Sequence, residues 1–268
     1  MKSIKFTKMV ASGNDFVILE SRKVAKSQSH RLLAKKICDR KYGIGADGLL
    51  ILEKSKIADV KMRIFNADGS EAEMCGNGAR CVAYFKSQGH KGTRSQVKIE
   101  TKAGVIESEI KADNVKIKLT DPKNIKLDIP IRVNNRNLKV NFIDTGVPHV
   151  VIFVEGLDKM NVDEIGRTIR FHKKFAPRGT NVDFVEALGK SLIEIRTYER
   201  GVEDETLACG TGSVAAALVF SLKTEASNTI NVRTKSGETL NVYFKKSAMA
   251  FEDIWLEGKA GIVYKDIL

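Results

Sequence analysis

Apolar and polar residues alternate through most of this chain. Runs such as Val115-Lys116-Ile117-Lys118-Leu119 put aliphatic side chains on one face and lysines on the other, as half-buried strands do. On this pattern strands are expected near 3–10, 15–20, 48–53, 60–66, 96–101, 104–111 and 114–120. After the break at Asp121-Pro122, more are expected near 137–143, 148–154, 182–187, 190–198, 229–233, 239–245, 248–256 and 260–264. Four segments switch to helical spacing. One runs near 28–41, with Leu33, Ile37 and Cys38 on its apolar side. Another, near 161–171, opens on the capping-box sequence Asn161-Val162-Asp163-Glu164. The other two, about 76–88 and 210–222, are alanine-rich and largely apolar. A helix of that kind is best buried if its own sheet wraps it.

The pattern is duplicated. Cys75-Gly76-Asn77-Gly78 and Cys209-Gly210-Thr211-Gly212 head the two apolar helices, half a chain apart. Glu71 and Glu205 each stand four residues before their cysteine. Thr101-Lys102-Ala103-Gly104 is matched by Thr234-Lys235-Ser236-Gly237, and Ser12-Gly13-Asn14-Asp15 by Thr145-Gly146-Val147-Pro148. Gly45 precedes the run Leu49–Leu52 as Gly179 precedes Val182–Val185. The repeat is far too long for a solenoid unit and reads as two copies of one domain-sized unit. The expected class is α+β: two pseudo-symmetric, strand-rich lobes with a cleft between them, each holding one thiol-headed helix. The first lobe is expected over 1–120, with the C-terminal strand, about 257–268, as an open alternative for completing it. The second is expected over 121–256.

A length of 268 residues accommodates two modest cores, and 43% hydrophobic content is ordinary for a globular protein. No apolar run approaches the roughly 20 residues of a membrane-spanning helix. The segment Met1-Lys2-Ser3-Ile4-Lys5-Phe6 reads as a first strand rather than a signal peptide, so a cytoplasmic location is expected. Cys38, Cys75, Cys81 and Cys209 form no disulfide framework, which fits a reducing compartment. His30, His90, His149 and His172 lack metal-ligand spacing, so no metal is expected. The net charge of +12 comes from dispersed lysines on strand faces, not from a basic block with interleaved aromatics. A solvated surface is favoured over a nucleic-acid site.

The candidate chemistry lies at the two thiols. A free thiol has a pKa of roughly 8.5, and a helix N-terminus lowers it. First-turn amides have no partner inside the helix, and the helix dipole favours negative charge there. Gly76, Asn77 and Gly78, with Gly210, Thr211 and Gly212, could thus cradle a carboxylate while two thiols address the adjacent α-carbon. One thiol would remove a proton and the other deliver one, with no electron-sink cofactor. A lone cysteine is usually a small buried hydrophobe, and Cys38 and Cys81 are read that way. Cys75 and Cys209 escape that reading because both precede glycines and both recur in register.

Polar clusters precede each cysteine: Phe65-Asn66-Ala67-Asp68-Gly69-Ser70-Glu71 and Tyr198-Glu199-Arg200-Gly201. Turn chemistry and a surface ion pair are the bland readings, and substrate contact is the functional one. Asn14 and Asn181 precede apolar strands. His149 is either a satisfied core histidine or a group that tunes a nearby thiol. Gly43-Ile44-Gly45-Ala46-Asp47-Gly48 matches the dinucleotide pattern G-x-G-x-x-G, but a helix precedes it and a strand follows, the reverse of the required order.

Taken together, Ser12-Gly13-Asn14-Asp15-Phe16, Phe65–Glu71, Cys75-Gly76-Asn77-Gly78-Ala79-Arg80-Cys81, Tyr198–Gly201 and Glu205–Gly212 resemble the diaminopimelate epimerases, cofactor-independent enzymes of bacterial lysine and peptidoglycan precursor synthesis. The resemblance runs over the whole chain. It implies that each lobe is a barrel-like, mostly antiparallel sheet around a central helix, and that the protein is a homodimer. It implies that Cys75 and Cys209 are the acid/base pair, and that Asn14, Asn66, Asn77, Asn181, Glu199, Arg200 and Thr211, with the amides of Gly76 and Gly210, contact an amino-acid substrate. It further implies that His149 and Glu199 adjust the thiol pKa values. Two positions depart from the family pattern. Val147 precedes Pro148-His149 where many members have Asn, and Gly48 stands where some have Gln. A racemase for proline, hydroxyproline or histidine remains an alternative at this stage, as does a non-catalytic carboxylate-binding protein.

Overall fold

The computed structural model describes residues 4–23, 29–88, 95–224 and 227–267. Residues 3 and 28, at the edges of an expected strand and helix, and His90 lie outside that set. The chain divides into two compact units, Met1–Lys118 with Glu257–Leu268, and Leu119–Leu256.

In the first unit, β1 (Lys5–Ala11) and β2 (Asn14–Glu20) are antiparallel, with Thr7 opposite Ile18. The turn between them carries Ser12 and Gly13 at positive φ. Helix α1 (His30–Cys38) crosses over to β3 (Gly48–Glu53), which lies parallel to β2. It buries Leu33, Ala34, Ile37 and Cys38 in a cluster with Val17, Leu19, Leu49 and Ile51. β4 (Val60–Asn66) returns antiparallel to β3, and the two-residue β5 (Glu71–Ala72) folds back on it. Helix α2 (Gly76–Gln88) follows, then β6 (Gln96–Thr101) parallel to β4, then β7 (Gly104–Lys111) and β8 (Asn114–Lys118), each antiparallel to the strand before it. The C-terminal strand Gly261–Ile267 runs antiparallel to β1 on its other side. Strands β1, β2, β4, β6, β7 and β8 and the C-terminal strand all touch α2. A sheet on so many sides explains why α2 is buried without a break from Asn77 to Ala83.

The second unit repeats these pairings. β9 (Lys123–Val133) takes the part of the C-terminal strand, antiparallel to β10 (Arg136–Asp144). β10 and β11 (Pro148–Phe153) are antiparallel. Helix α3 (Val162–Arg170) leads to β12 (Asn181–Ala187), parallel to β11. The N-cap half of the expected capping box is present: Asn161 Oδ1 accepts from the Glu164 N–H at 3.3 Å, while the Glu164 carboxylate accepts from the Asn161 side-chain Nδ2 at 3.0 Å rather than from its backbone N–H. β13 (Leu192–Glu199), β14 (Asp204–Thr206), α4 (Gly210–Lys223), β15 (Thr229–Arg233) and β16 (Thr239–Ser247) follow in the order of their counterparts. β15 is parallel to β13, as β6 is to β4. Helix α4 touches six strands from β10 to β16 and is buried from Gly212 to Ser221. Among the described residues, no helix is long and apolar enough to cross a membrane.

Most expected elements fall within a few residues of their observed bounds. β9 is an addition. It follows directly on the Asp121-Pro122 break, and Pro130 interrupts its alternation of Ile125, Leu127, Ile129, Ile131 and Val133. Pro130 is tolerated although it lacks an N–H, and Asp128, two residues earlier, sits at positive φ.

Each unit carries the same ion-pair clamp just before its cysteine. Glu71 receives Arg63 Nε at 2.8 Å and Lys102 Nζ at 2.8 Å. Glu205 receives Arg196 Nε at 2.7 Å and Lys235 Nζ at 2.6 Å. The clamp ties the strand before the cysteine to the hairpin turn after the helix. The Arg63 guanidinium, helped by Lys102, overcomes the opposing effect of burial and holds the Glu71 carboxyl at a pKa of about 2, against an ordinary 4.5. A depressed carboxylate pKa contributes stability that is complete above 4.5 and is lost as pH falls towards about 2. Glu71→Gln is therefore expected to cost about 1.5–3 kcal/mol at neutral pH and to flatten the acid limb of a plot of Tm against pH. An unchanged acid limb would show that the clamp is not formed in solution.

Candidate functional site

Both thiols stand at the mouth of an enclosed helix. Cys75 immediately precedes α2, and Cys209 is the N-cap of α4. The Gly78 N–H donates to Cys75 Sγ at 3.5 Å, a first-turn amide turned onto sulfur. At the corresponding place the Gly212 N–H acts on Cys209. Gly76 and Gly210 begin the two helices, so their amides lie among the same unpaired first-turn groups.

Around Cys75, the Asn14 carboxamide is oriented by a chain of charges. Its Nδ2 donates to Asp47 Oδ2 at 2.7 Å. Arg40 holds Asp47 at 2.7 Å and Asp15 at 2.9 Å, and the buried Lys8 reaches Asp15 at 2.7 Å. Burial would raise the Asp15 pKa, but Arg40 and Lys8 outweigh it and hold it at about 2. With its amide fixed on Asp47, Asn14 turns Oδ1 towards Cys75 Sγ at 3.9 Å and Asn77 Nδ2 at 3.5 Å. Asn77 is oriented in turn by Arg80, which has no exposed surface and donates to Asn77 Oδ1 at 2.6 Å and to Ser12 Oγ at 2.7 Å. Asn66 lies opposite Gly48 at the end of β4, and its amide donates to Ser70 Oγ at 2.9 Å.

Around Cys209 the arrangement differs. His149 is fully buried, with Nδ1 at 2.7 Å from Asp183 Oδ2 and Nε2 at 3.0 Å from Thr211 Oγ1. Thr211 Oγ1 lies 3.5 Å from Cys209 Sγ. Asn181 donates to the Pro148 carbonyl at 3.1 Å and accepts the Arg200 N–H at 2.8 Å, which joins Arg200 to the group. Burial pushes the Glu199 carboxyl up. Burial also pushes the Cys209 thiol well up, reinforced by the charges of Glu199 and Asp183 and opposed by Thr211 and the Gly212 amide. Arg200 is pulled down by burial and by Arg170 and Arg178 nearby, with Asp144 and Glu203 opposing. Cys38 and Cys81 are buried, and burial raises Cys38 to about 11, far from a reactive thiol.

Asn14, Asn77 and Cys75 are thus brought together in one unit, and His149, Asn181, Arg200, Thr211 and Cys209 in the other. Asp47, Arg80 and Asp183 were not singled out from the sequence. For Asp183 a signal was present: a carboxylate inside the apolar run Val182-Asp183-Phe184-Val185 has to be paired.

A sequence profile described as "Diaminopimelate epimerase" matches residues 6–125 and 141–251. The chain belongs to the diaminopimelate epimerase family. A diaminopimelate epimerase of Aquifex aeolicus is 42% identical, with 98% of this chain and 95% of that protein aligned. One from Methanocella arvoryzae is also 42% identical, over 99% and 96%. Among solved structures, a phenazine biosynthesis protein of the PhzF family from Bacillus anthracis superposes with a TM-score of 0.76 at 18% identity, covering 100% of this chain and 99% of that one. A hydroxyproline epimerase from Agrobacterium vitis gives 0.74 at 15% identity, covering 100% and 92%. At such low identity these two establish the shared fold alone.

This diaminopimelate epimerase family member has little room at Gly48, one of its two departures from the family pattern. A Cβ on Gly48 would meet the Phe65 carbonyl at 3.1 Å and the Phe16 ring at 3.2 Å, so a longer side chain requires the strand to shift. Val147 is half-buried, and its carbonyl accepts the Thr145 N–H at 3.1 Å. A closer approach than at Gly48 lies at the head of α4. A Cβ on Gly212 would fall 2.5 Å from Asp183 Oδ1, whereas one on Gly261 would meet nothing within 4 Å. Gly212→Ala is expected to lower stability by about 1–3 kcal/mol, and Gly261→Ala to stay within about 0.5 kcal/mol. Chemical denaturation of the two variants checks this; equal losses would contradict the packing of Asp183 against α4.

Proposed function

We propose that this protein interconverts LL- and meso-2,6-diaminopimelate by inverting one α-carbon, without a cofactor. The observation that carries the reading is the pair of thiols, each at the N-terminus of an enclosed helix, in a chain of this family. One sulfur, as thiolate, removes the α-proton; the other, as thiol, delivers a proton to the opposite face of the carbon. The two ionisations are coupled, because only the mixed thiolate/thiol state can begin a turnover. First-turn amides of Gly76 and Asn77, and of Gly210 and Thr211, hold the α-carboxylate and stabilise charge as the proton leaves. Asn14, Asn66, Asn77, Asn181, Glu199 and Arg200 bind the amino and carboxylate groups of the substrate. Arg200 is suited to a carboxylate, and Glu199 to an ammonium group. His149 and Glu199 adjust the protonation of the thiols.

In this reading the enzyme is a homodimer of the cytoplasm that serves lysine and peptidoglycan precursor synthesis. Free thiols suit a reducing compartment. Val263, Tyr264 and Ile267 are exposed on the C-terminal strand and supply apolar surface for a second copy.

Cys75→Ala and Cys209→Ala are each expected to slow epimerisation by about 10³-fold or more while leaving the fold intact. Wild type in heavy water should place deuterium at the inverted carbon. A chiral assay with diaminopimelate and no added cofactor, with circular dichroism of each variant, tests both expectations. Full activity in either variant would sink the two-base mechanism. Activity on proline or hydroxyproline but not on diaminopimelate would reassign the substrate.

A further inference from the structure

The matching registers of the two units allow the surroundings of the thiols to be compared position by position. In the first unit Phe16 pairs with Gly48, Ile18 with Leu50, and Leu50 with Ile64. In the second, His149 pairs with Asn181, Val151 with Asp183, and Asp183 with Thr197. His149, Asp183 and Thr197 therefore occupy the positions of Phe16, Leu50 and Ile64. All six are buried. Hydrocarbon fills these places in one unit; a carboxylate, an imidazole and a hydroxyl fill them in the other. Burying such groups is costly, and well-packed apolar residues of similar volume are often at least as stable. Structure alone does not call for them.

They are joined end to end. Thr197 donates to Asp183 Oδ1 at 2.8 Å, and Asp183 Oδ2 meets His149 Nδ1 at 2.7 Å. His149 Nε2 meets Thr211 Oγ1 at 3.0 Å, and Thr211 Oγ1 lies 3.5 Å from Cys209 Sγ. The tautomer follows from the neighbours. Asn181 has its oxygen on the Arg200 N–H and its amide on the Pro148 carbonyl, so the same amide faces His149 Nε2 at 3.4 Å. A donor facing Nε2 leaves that nitrogen as an acceptor, with the ring proton on Nδ1 towards Asp183. The ionisable groups facing His149 are Asp183 of β12 and Glu199 of β13, with Cys209 beyond Thr211 at the start of α4.

We propose that Thr211 and His149 form a proton relay for Cys209, with Asp183 as the positioning residue that orients His149. The Cys209 S–H bond breaks as its proton passes to Thr211 Oγ1. The Thr211 O–H bond breaks in the same movement as its proton passes to His149 Nε2. A neutral thiol and imidazole become a thiolate and an imidazolium, balanced by Asp183, and the reverse transfer restores them. Each turnover leaves the two thiols with exchanged protonation states, and the relay lets Cys209 shed or regain its proton before the next substrate. The relay rests on the two-base reading above and assigns Thr211 a role besides carboxylate binding.

The test is a substrate-free pH jump on the full chain that follows the rate at which the Cys209 thiolate absorbance forms, as the difference from a matched variant lacking Cys209. Wild type and Thr211→Ser are expected to form the thiolate at similar rates. In Thr211→Val that rate is expected to fall about 10-fold or more, and kcat with it, while Thr211→Ser retains most activity. Asp183→Asn is expected to slow the same step, since the imidazolium loses its counter-charge. An unchanged rate in Thr211→Val would overturn the relay. Absence of diaminopimelate epimerisation by wild type would overturn the function while leaving the pH jump readable.

Discussion

A helix enclosed by its own sheet can present chemistry only at its ends. The constraint follows from the apolar character of α4, buried from Gly212 to Ser221, and of α2, buried from Asn77 to Ala83. Such helices exclude water along their length, so the thiol and the first-turn amides at the N-terminus are what remains for a ligand. The same enclosure makes α2 and α4 stiff supports. Cys75 and Cys209 are therefore fixed by two cores rather than by mobile loops, which suits chemistry that depends on placing a sulfur beside one carbon.

Packing alone does not fix the residues just before each helix. There the Arg63–Glu71–Lys102 and Arg196–Glu205–Lys235 clamps bind a carboxylate four residues ahead of the cysteine to cations from two other elements. The carboxylates are nearly buried while the cations reach solvent, so the pairs escape the full desolvation penalty of a wholly buried bridge. The clamps recur because the mechanical problem recurs. The surroundings of the sulfurs do not recur: Asn14 and Asn77 flank one thiol, while Thr211 and the buried His149–Asp183 pair stand behind the other.

How much of this was legible in the sequence depended on the range of the interaction. Strand alternation, the Asn161–Glu164 capping box and the repeat of Cys-Gly-x-Gly are local, and they located most elements and both thiols. β9 was hidden behind the Asp121-Pro122 break, and only its pairing with β10 reveals the strand. Asp47, Arg80 and Asp183 act on residues distant in sequence or on another strand, so spacing gave no hint of their partners. Asp183 came nearest to being visible, as a charge set between the apolar residues Val182 and Phe184. The clamp was partly visible: Glu71 with Glu205, and Lys102 with Lys235, stood in matched register, but Arg63 and Arg196 looked like ordinary strand residues.

The first unit is completed by the last residues of the chain, Glu257–Leu268, whereas the second is continuous from Leu119 to Leu256. During synthesis the N-terminal portion leaves the ribosome first, yet β1 must wait for Gly261–Ile267 before that edge is paired. The later-made unit has all of its own strands earlier. Assembly order is thus uncoupled from sequence order, and loss of the final few residues by early termination damages the part of the protein made first.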